Sequence, residues 1–273
     1  MRIPPIVILG SGYTGRVIFE LLGRRHIHVC ATSREPDVKL PYVPVDRRLR
    51  FDLAVPSTWT AIPKEAGLIW TFPATPPEQV QAFAHTHCLP GRPLVVLGST
   101  SAYDANSQPA SGPIPWLDES APIDHALPRV QGEEHLRTQY GAVILRVAGI
   151  YGPGRNPLDW IRRGRVGPSN KLVNLIHVED LAEIAVRALE RGKSGETYNV
   201  SDGQPRAWRE ICEEARTRWG VVPSEARDRR DPGKRISNRK LAGSLGYDLR
   251  HADLYRAIEC IERPEKSQPR SPS

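Results

Sequence analysis

Three glycines near the N-terminus constrain the fold of this chain more than any other feature. Gly10, Gly12 and Gly15 follow the apolar run at 6–9, which has the composition of a buried strand. Apolar residues at helical spacing come next, at 17–22. In such a strand–turn–helix unit the first glycine allows a tight turn, the second lets backbone approach a pyrophosphate, and the third lets helix and strand pack closely. The pattern predicts a dinucleotide-binding turn.

The start of the following helix is the predicted anion site, because its free amide groups and its dipole both favour negative charge. The turn residues expected to contact the cofactor are Gly10, Ser11, Gly12, Tyr13, Thr14 and Gly15. Further contacts are expected from Asp52, within the third predicted strand, and from Phe72 and Pro73, at the end of the fourth. A turn-capping role for Asp52 is an equally supported alternative.

The end of the second predicted strand, at 28–32, bears on the choice of cofactor. An acidic residue there would bind the ribose hydroxyls of NAD and repel a 2′-phosphate. The chain has Ser33 and Arg34 instead, with Arg16 nearby on the first helical turn. A hydroxyl and a guanidinium suit a phosphate, so the sequence favours NADP. Glu35 keeps NAD as the less favoured alternative.

Strands and helices alternate along the first 200 residues. Further strands are predicted at 50–53, 67–72, 93–98, 142–147 and 195–200, with helices near 78–87 and 129–139. This alternation predicts an α/β fold, a Rossmann-type doubly wound parallel sheet with its ligand at the carboxyl ends of the strands. Helices are predicted near 208–219, 238–245 and 252–261, followed by a polar, disordered tail at 264–273.

A cluster of hydroxyl groups follows the fifth predicted strand. Ser99, Thr100 and Tyr103 lie where they face the cofactor crevice, and Ser99 is the candidate to polarise a substrate carbonyl during hydride transfer. Serine and threonine also form turns at strand ends, which is the plainer alternative. Thr100 and Arg155 are candidate substrate contacts, Arg155 because a guanidinium binds a phosphate or carboxylate through two hydrogen bonds.

Composition excludes several classes of protein. The net charge of +7 comes from arginines that are interspersed with acids, so a small anionic ligand explains it and nucleic acid is not expected. No apolar run approaches the ~20 residues of a membrane span. Four scattered cysteines and no clustered ligands predict reduced thiols, no metal site and a cytoplasmic location.

Five motifs occur in a characteristic order. They are Gly10-x-Gly12-x-x-Gly15, the segment 99–103, Leu145-Arg146-x-x-Gly149-Ile150-Tyr151-Gly152-Pro153-Gly154, Ile176-His177-Val178-Glu179-Asp180-Leu181-Ala182 and Tyr198-Asn199-Val200-Ser201. With them, residues 6–261 resemble the extended branch of the short-chain dehydrogenase/reductase superfamily, the NAD-dependent epimerase/dehydratase group. The resemblance implies one unit over 1–263, with an NADP-binding core over about 1–150 and a small C-terminal substrate lobe over about 151–263. It also places Ser99 at the catalytic Ser/Thr position and makes a homodimer a possible assembly.

One departure from the family pattern concerns catalysis. The family's acid/base is a tyrosine with a lysine four residues later, because an isolated phenol titrates near ~10 and is a poor base at neutral pH. Here Leu127 and Gln131 occupy those two positions. Gln131 is still expected to bond the cofactor ribose. The proton would then come from Tyr103, Asp104, His125 or a water.

The sequence leaves three functions open. The favoured one is an atypical NADP-dependent oxidoreductase that acts on a small, anionic carbonyl or hydroxyl compound. The second is an NAD(P)-binding sensor or interaction protein without redox activity. The third, a sugar-nucleotide epimerase or dehydratase, is disfavoured because those reactions begin with oxidation of a hydroxyl, which needs a base.

Overall fold

The computed structural model describes residues 5–89, 91–103, 112–224 and 231–263. Asp104 and the predicted tail at 264–273 lie outside these ranges. The strands are β1 (Ile6–Leu9), β2 (Val29–Ser33), β3 (Arg48–Arg50), β4 (Gly67–Trp70), β5 (Leu94–Ser99), β6 (Trp116–Leu117), β7 (Val143–Val147), β8 (Gly149–Tyr151), β9 (Leu172–Val173), β10 (Leu175–His177), β11 (Thr197–Val200), β12 (Arg206–Ala207) and β13 (Arg235–Ile236). The helices are α1 (Tyr13–Arg24), α2 (Pro36–Lys39), α3 (Pro77–His87), α4 (Pro128–Tyr140), α5 (Pro157–Arg162), α6 (Val178–Arg191), α7 (Trp208–Trp219), α8 (Arg239–Leu245) and α9 (Leu254–Glu262).

Seven parallel strands form the central sheet, in the order β3-β2-β1-β4-β5-β7-β11. The order reverses between β1 and β4, so the carboxyl ends of these two strands flank a crevice. The strands β1, β4 and β7 are buried throughout, as expected for a parallel sheet covered on both faces. The predicted Rossmann-type fold is confirmed.

Helices cover both faces of the sheet. On one face α1 packs against α6, and their apolar stripes bury Ile18, Leu22 and Ile184 in one core cluster. On the other face α3 packs against α4, where Phe83 meets the rings of Trp59 and Trp70 edge-on. The helical spacing of apolar residues that the sequence displays is what lets each helix bury one face.

The third strand ends earlier than predicted. Strand β3 spans Arg48–Arg50, whereas the sequence indicated 50–53. The cause is local: the backbone amide of Asp52 donates to Thr58 Oγ1 at 3.0 Å, and its carbonyl accepts from Trp59 Nε1 at 3.0 Å. Because a 3₁₀ helix at 56–61 uses these backbone groups, Asp52 lies in the loop beyond the strand.

Some elements of the C-terminal half belong to the central sheet and its covering helices, and others lie outside the sheet. Strand β11 and helix α6 belong to the central sheet and its covering layer. Short strand pairs, β8 with β10, β9 with β12 and β6 with β13, lie outside the sheet. A separate apolar cluster joins α5, α7 and α9 through Leu158, Ile211 and Leu254. The predicted division near residue 150 stays a prediction. Within the described residues, no helix has the length and apolar character needed to cross a membrane.

A buried carboxylate attaches the end of the chain to α6. Asp180 is fully buried, and its oxygens accept from Tyr247 Oη at 2.6 Å and from the amides of Arg250 and His251 at 2.9 and 3.0 Å. A buried charge is tolerated only when it is hydrogen-bonded in this way. Asp180, from the fourth of the five sequence motifs, therefore has a structural role.

The contact between α4 and the loop after β4 generates a stability prediction. A Cβ atom on Gly132 would overlap the carbonyl oxygen of Ala74, whereas one on Gly243 of α8 meets nothing within 4 Å. We expect Gly132→Ala to lower the free energy of unfolding by about 1–3 kcal/mol through overpacking. Gly243→Ala should leave it unchanged or raise it by up to about 1 kcal/mol. Urea denaturation of both variants tests this, and equal effects would contradict it.

Candidate functional site

The glycine-rich turn has the geometry that its sequence predicts. Gly10 has φ +84°, and a Cβ on it would lie 2.7 Å from Phe72 Cδ1. A Cβ on Gly15 would lie 2.6 Å from the carbonyl oxygen of Gly10, so only glycine lets α1 approach the turn this closely. A Cβ on Gly12 meets nothing within 4 Å, which leaves open space in front of the helix start.

Neighbouring strands hold the turn in place. The amide of Gly10 donates to Thr32 Oγ1 at 2.9 Å, and that of Ser11 donates to the carbonyl of Thr32 at 3.0 Å. Tyr42 Oη donates to the carbonyl of Ser11 at 3.1 Å, and the Thr71 hydroxyl bonds to the carbonyl of Gly10. The turn is therefore fixed from both sides of β1.

A cleft of about 640 Å³ opens over this turn at the carboxyl ends of β1 and β2. Its described lining contains seven residues that the sequence assigned to the cofactor: Gly10, Ser11, Gly12, Ser33, Arg34, Asp52 and Phe72. One carboxylate oxygen of Asp52 also accepts the amide of Ala54 at 3.0 Å, so this side chain caps its own turn as well. The cleft adds residues that sequence reasoning missed, among them Thr32, Lys39, Thr75 and Gln79.

The end of the cleft near β2 is basic. Arg34 and Lys39 both line it and both side chains are exposed. Lys39 is the last residue of α2, a helix of four residues. Such a short helix shows no apolar periodicity, so the only sequence signal for Lys39 is that it lies close to Arg34 in the chain. Arg16 instead forms an ion pair with Glu20 at 2.8 Å. The sequence predicted Arg16 near the 2′-phosphate, but Arg16 is not among the described residues that line the cleft.

The other predicted cofactor contacts lie outside the described lining of the cleft and stay predictions. They are Tyr13, Thr14, Gly15, Pro73 and Gln131. Tyr13 Oη donates to the carbonyl of Pro153 at 3.1 Å, and burial raises the pKa of this phenol to about 12, although Arg155 opposes the shift. Gln131 Nε2 donates to the carbonyl of His125 at 3.0 Å and so closes the loop before α4.

A second cleft, of about 460 Å³, begins at the carboxyl end of β5. Ser99 and Thr100 line it, and their roles in catalysis and substrate contact stay predictions. Ser99 Oγ accepts the amide of Ser101 at 3.1 Å, which leaves the serine proton available to a ligand oxygen. The rest of this wall, including Lys171, Asp231 and Lys234, comes from the C-terminal half and carried no readable sequence signal.

Tyr103 occupies a buried position. Its side chain is 2% exposed, and its hydroxyl donates to Asn199 Oδ1 at 2.5 Å. The Arg146 guanidinium lies 5.0 Å from the ring centroid, but burial dominates and raises the pKa of the phenol. Tyr103 is not among the described residues that line either cleft. This environment suits a structural role better than proton transfer.

His125 and Arg155 are both exposed and lie outside the described lining of the two clefts. The Arg155 guanidinium lies 5.8 Å from the centre of the Tyr13 ring. The structure therefore brings Ser99 and Thr100 together but does not gather His125 and Arg155 with them.

Three potential metal ligands lie together at the start of α6. Ligand atoms of His177, Glu179 and His251 are within 4.8 Å of one another. The two imidazole rings lie with centroids 3.7 Å apart and planes tilted by 32°, and His251 Nε2 bonds to Glu179 Oε2 at 3.0 Å. His177 Nδ1 also accepts the amide of Glu179 at 3.3 Å. His177 therefore caps the start of α6, and the ring of His251 packs against the ring of His177.

The sheet order, the glycine turn and the serine after β5 define a class of fold. The chain has the fold of the extended short-chain dehydrogenases/reductases, the NAD-dependent epimerase/dehydratase type, so the resemblance seen in the sequence is confirmed at the level of fold. No protein-family model matches the chain. A distant relative in sequence is the protein YeeZ of Escherichia coli K12, 30% identical over 113 residues, which are 40% of this chain and 41% of YeeZ.

Solved structures of this fold superpose over nearly the whole chain. A short-chain dehydrogenase/reductase superfamily protein from Agrobacterium tumefaciens with bound NAD has a TM-score of 0.76 at 15% identity, covering 94% of this chain and 95% of its own. RMD from Pseudomonas aeruginosa, complexed with NADPH, has a TM-score of 0.69 at 18% identity, with 94% and 98% covered. The dTDP-glucose 4,6-dehydratase of Bacillus anthracis, with NAD, has a TM-score of 0.73 at 13% identity, with 97% and 98% covered.

The environment of His177 predicts a pH dependence of stability. Burial, followed by the nearby His251, lowers the pKa of His177 from 6.5 to about 4. Between these values the unfolded chain binds a proton that the folded chain does not, so stability is present above pH 6.5 and is lost as the pH falls. The loss is at most about 1.4 kcal/mol per pH unit.

We therefore expect wild type to lose up to about 2 kcal/mol more than His177→Asn between pH 7 and pH 5. Asparagine accepts the same capping amide and does not titrate, which makes it the matched variant. Urea unfolding at each pH gives the measurement. Parallel stability curves for the two proteins would contradict the assignment.

Proposed function

We propose that this protein is an NADP-dependent oxidoreductase of atypical type, which transfers a hydride to or from a small carbonyl or hydroxyl compound. The observation that carries the proposal is the placement of two clefts at the carboxyl edge of one sheet. One lies over the glycine turn and has a basic end, and the other begins at Ser99. Ligands of open α/β sheets bind at this edge.

The residues of the first cleft fit a phosphorylated dinucleotide. The open space beside Gly12 and the amides at the start of α1 accommodate a pyrophosphate. Phe72 offers an apolar surface, and Arg34 with Lys39 offers two cations to a 2′-phosphate. NADPH, when bound, supplies the hydride. The chain itself must hold the cofactor, orient the substrate and exclude water from the reacting carbon.

Ser99 is the proposed electrophilic group. Its oxygen accepts the amide of Ser101, so the hydroxyl proton is left to donate to a substrate carbonyl oxygen and polarise it. Thr100, on the same wall, is a proposed substrate contact. The substrate is proposed to be small and anionic, in keeping with the basic composition of the chain.

An NAD(P)-binding sensor without redox activity is the second candidate. It is favoured by the burial of Tyr103, together with Leu127 and Gln131 at the two positions where the related enzymes carry tyrosine and lysine. Titration with NADPH and NADH, followed by NADPH consumption with a panel of aldehydes, ketones and 2-oxo acids, separates the two. Tight binding without turnover supports the sensor, and binding of neither nucleotide contradicts both.

The basic end of the first cleft predicts cofactor preference. Arg34→Ala and Lys39→Ala should each weaken NADP binding about tenfold, since a hydrogen bond to a charged group contributes about 1.5–3 kcal/mol. NAD affinity should change by less than about twofold, because NAD carries no 2′-phosphate. Calorimetric titration measures both, with Arg191→Ala as the surface control. Equal losses for NADP and NAD would exclude a phosphate-selective role.

The role of Ser99 predicts a split between binding and turnover. Ser99→Ala should lower kcat about 10²–10³-fold, the cost of removing one hydrogen-bond donor to a developing oxyanion. Cofactor affinity should stay within about twofold, because Ser99 belongs to the second cleft. Steady-state kinetics and NADP titration provide the readouts, with Ser57→Ala, at an exposed position of a 3₁₀ helix, as the control. Unchanged turnover would remove Ser99 from the mechanism.

A further inference from the structure

Two indole rings form part of the wall of the second cleft. Trp160 and Trp208 both line it, with ring centroids 6.2 Å apart and planes at 69°. Leu172, Val173 and Leu175 extend the apolar surface. A cleft of about 460 Å³ has room for a six-membered ring and its substituents.

The elements that carry these two rings hold them in place. Trp160 is half-buried on α5, and Asn156 caps the start of this helix by accepting the amide of Leu158 at 2.9 Å. Trp208 is the first residue of α7 and is 9% exposed, and its amide donates to the carbonyl of Lys171 at 3.2 Å. The aromatic surface is therefore formed in advance, which lowers the entropic cost of binding a ligand.

The charged side chains of the cleft are engaged by the protein itself. Lys171 forms an ion pair with Asp231, so these two charges are matched to each other. The ammonium of Lys234 donates to the carbonyl of Tyr103 at 2.6 Å and to that of Thr100 at 3.4 Å. The apolar and aromatic surface is therefore the part of the cleft from which we infer the class of ligand.

An indole wall favours an aromatic ligand over a saturated one of the same shape. Aromatic rings have a negative face and a positive edge, so two of them gain edge-to-face or offset contacts beyond the area that they bury. Ser99 lines the same cleft and, under the proposed function, donates to a carbonyl oxygen. A ligand that uses both features carries an aromatic ring and a carbonyl group.

We propose that the second cleft binds aromatic ketones and aldehydes, with the ring of the ligand packed against Trp160 and Trp208. The proposal rests on the proposed function and names its substrate class. Reduction of such a compound adds the hydride of NADPH to the carbonyl carbon and a proton from solvent to the carbonyl oxygen. An alcohol and NADP⁺ are the products.

The test compares two ketones that differ only in the saturation of the ring. Acetophenone carries a phenyl ring, and cyclohexyl methyl ketone carries a cyclohexyl ring in its place. Burial of apolar area alone gives no advantage to the phenyl ring, because the cyclohexyl ring has at least as much apolar surface. Each ketone is titrated into the protein and followed by ligand-observed NMR, with and without NADP⁺.

The variants are Trp160→Leu and Trp208→Leu, which keep an apolar side chain and remove the ring. Trp116→Leu is the matched control, because Trp116 is 47% exposed and lines a different cavity. Thermal unfolding and NADP⁺ affinity are recorded for every variant to detect structural damage. If Trp208→Leu does not fold, the half-buried Trp160 decides the test.

We expect wild type to bind acetophenone at least about threefold more tightly than cyclohexyl methyl ketone, because ring–ring contacts add to the buried area. Loss of this preference in either cleft variant, with the preference kept in Trp116→Leu, supports the proposal and identifies the ring in contact. Equal affinities in wild type overturn it, as does a preference that survives in every folded cleft variant or is lost in Trp116→Leu as well.

Failure of the proposed function gives a different result. A ring preference that depends on Trp160 or Trp208, without NADP⁺ binding or without NADPH consumption by acetophenone, contradicts the proposed function and leaves the binding of aromatic carbonyl compounds supported.

Discussion

The close approach of α1 to the end of β1 is the contact on which the rest of the structure depends. The carbonyl of Gly10 occupies the space that a side chain at Gly15 would need, and the ring of Phe72 occupies the space beside Gly10. Side chains at either position would push the helix from the strand and fill the crevice. Because Gly12 borders open space instead, the same turn both packs tightly and exposes amides toward a ligand.

The end of β5 is the second position where distant parts of the chain converge. Ser99 follows directly from the sheet, whereas Lys171 and Lys234 reach the same cleft from the C-terminal half. Hydrogen bonds from Lys234 to the carbonyls of Thr100 and Tyr103 join these parts at the turn after Ser99. This convergence is what supports the proposed substrate site.

Tyr103 illustrates how burial changes the meaning of a residue. In the sequence it belongs to a hydroxyl cluster and is a reasonable source of a proton. In the structure its hydroxyl bonds to Asn199 and its ring packs against Arg146, so it links β5, β7 and β11 at the edge of the sheet. A phenol whose pKa is raised by burial is also a poor base at neutral pH.

By itself the sequence determined the fold class, the glycine turn and most of the first cleft, because these depend on local patterns: apolar periodicity, glycine spacing and the residues that directly follow each strand. The sequence also placed Ser99 correctly at the carboxyl end of the fifth strand. Only the tertiary structure decided that β3 ends before Asp52, that Lys39 joins Arg34, and that Trp160, Trp208 and Lys234 line the same cleft as Ser99. Those contacts join residues far apart in the chain, and no local pattern encodes which distant side chains a folded backbone brings together.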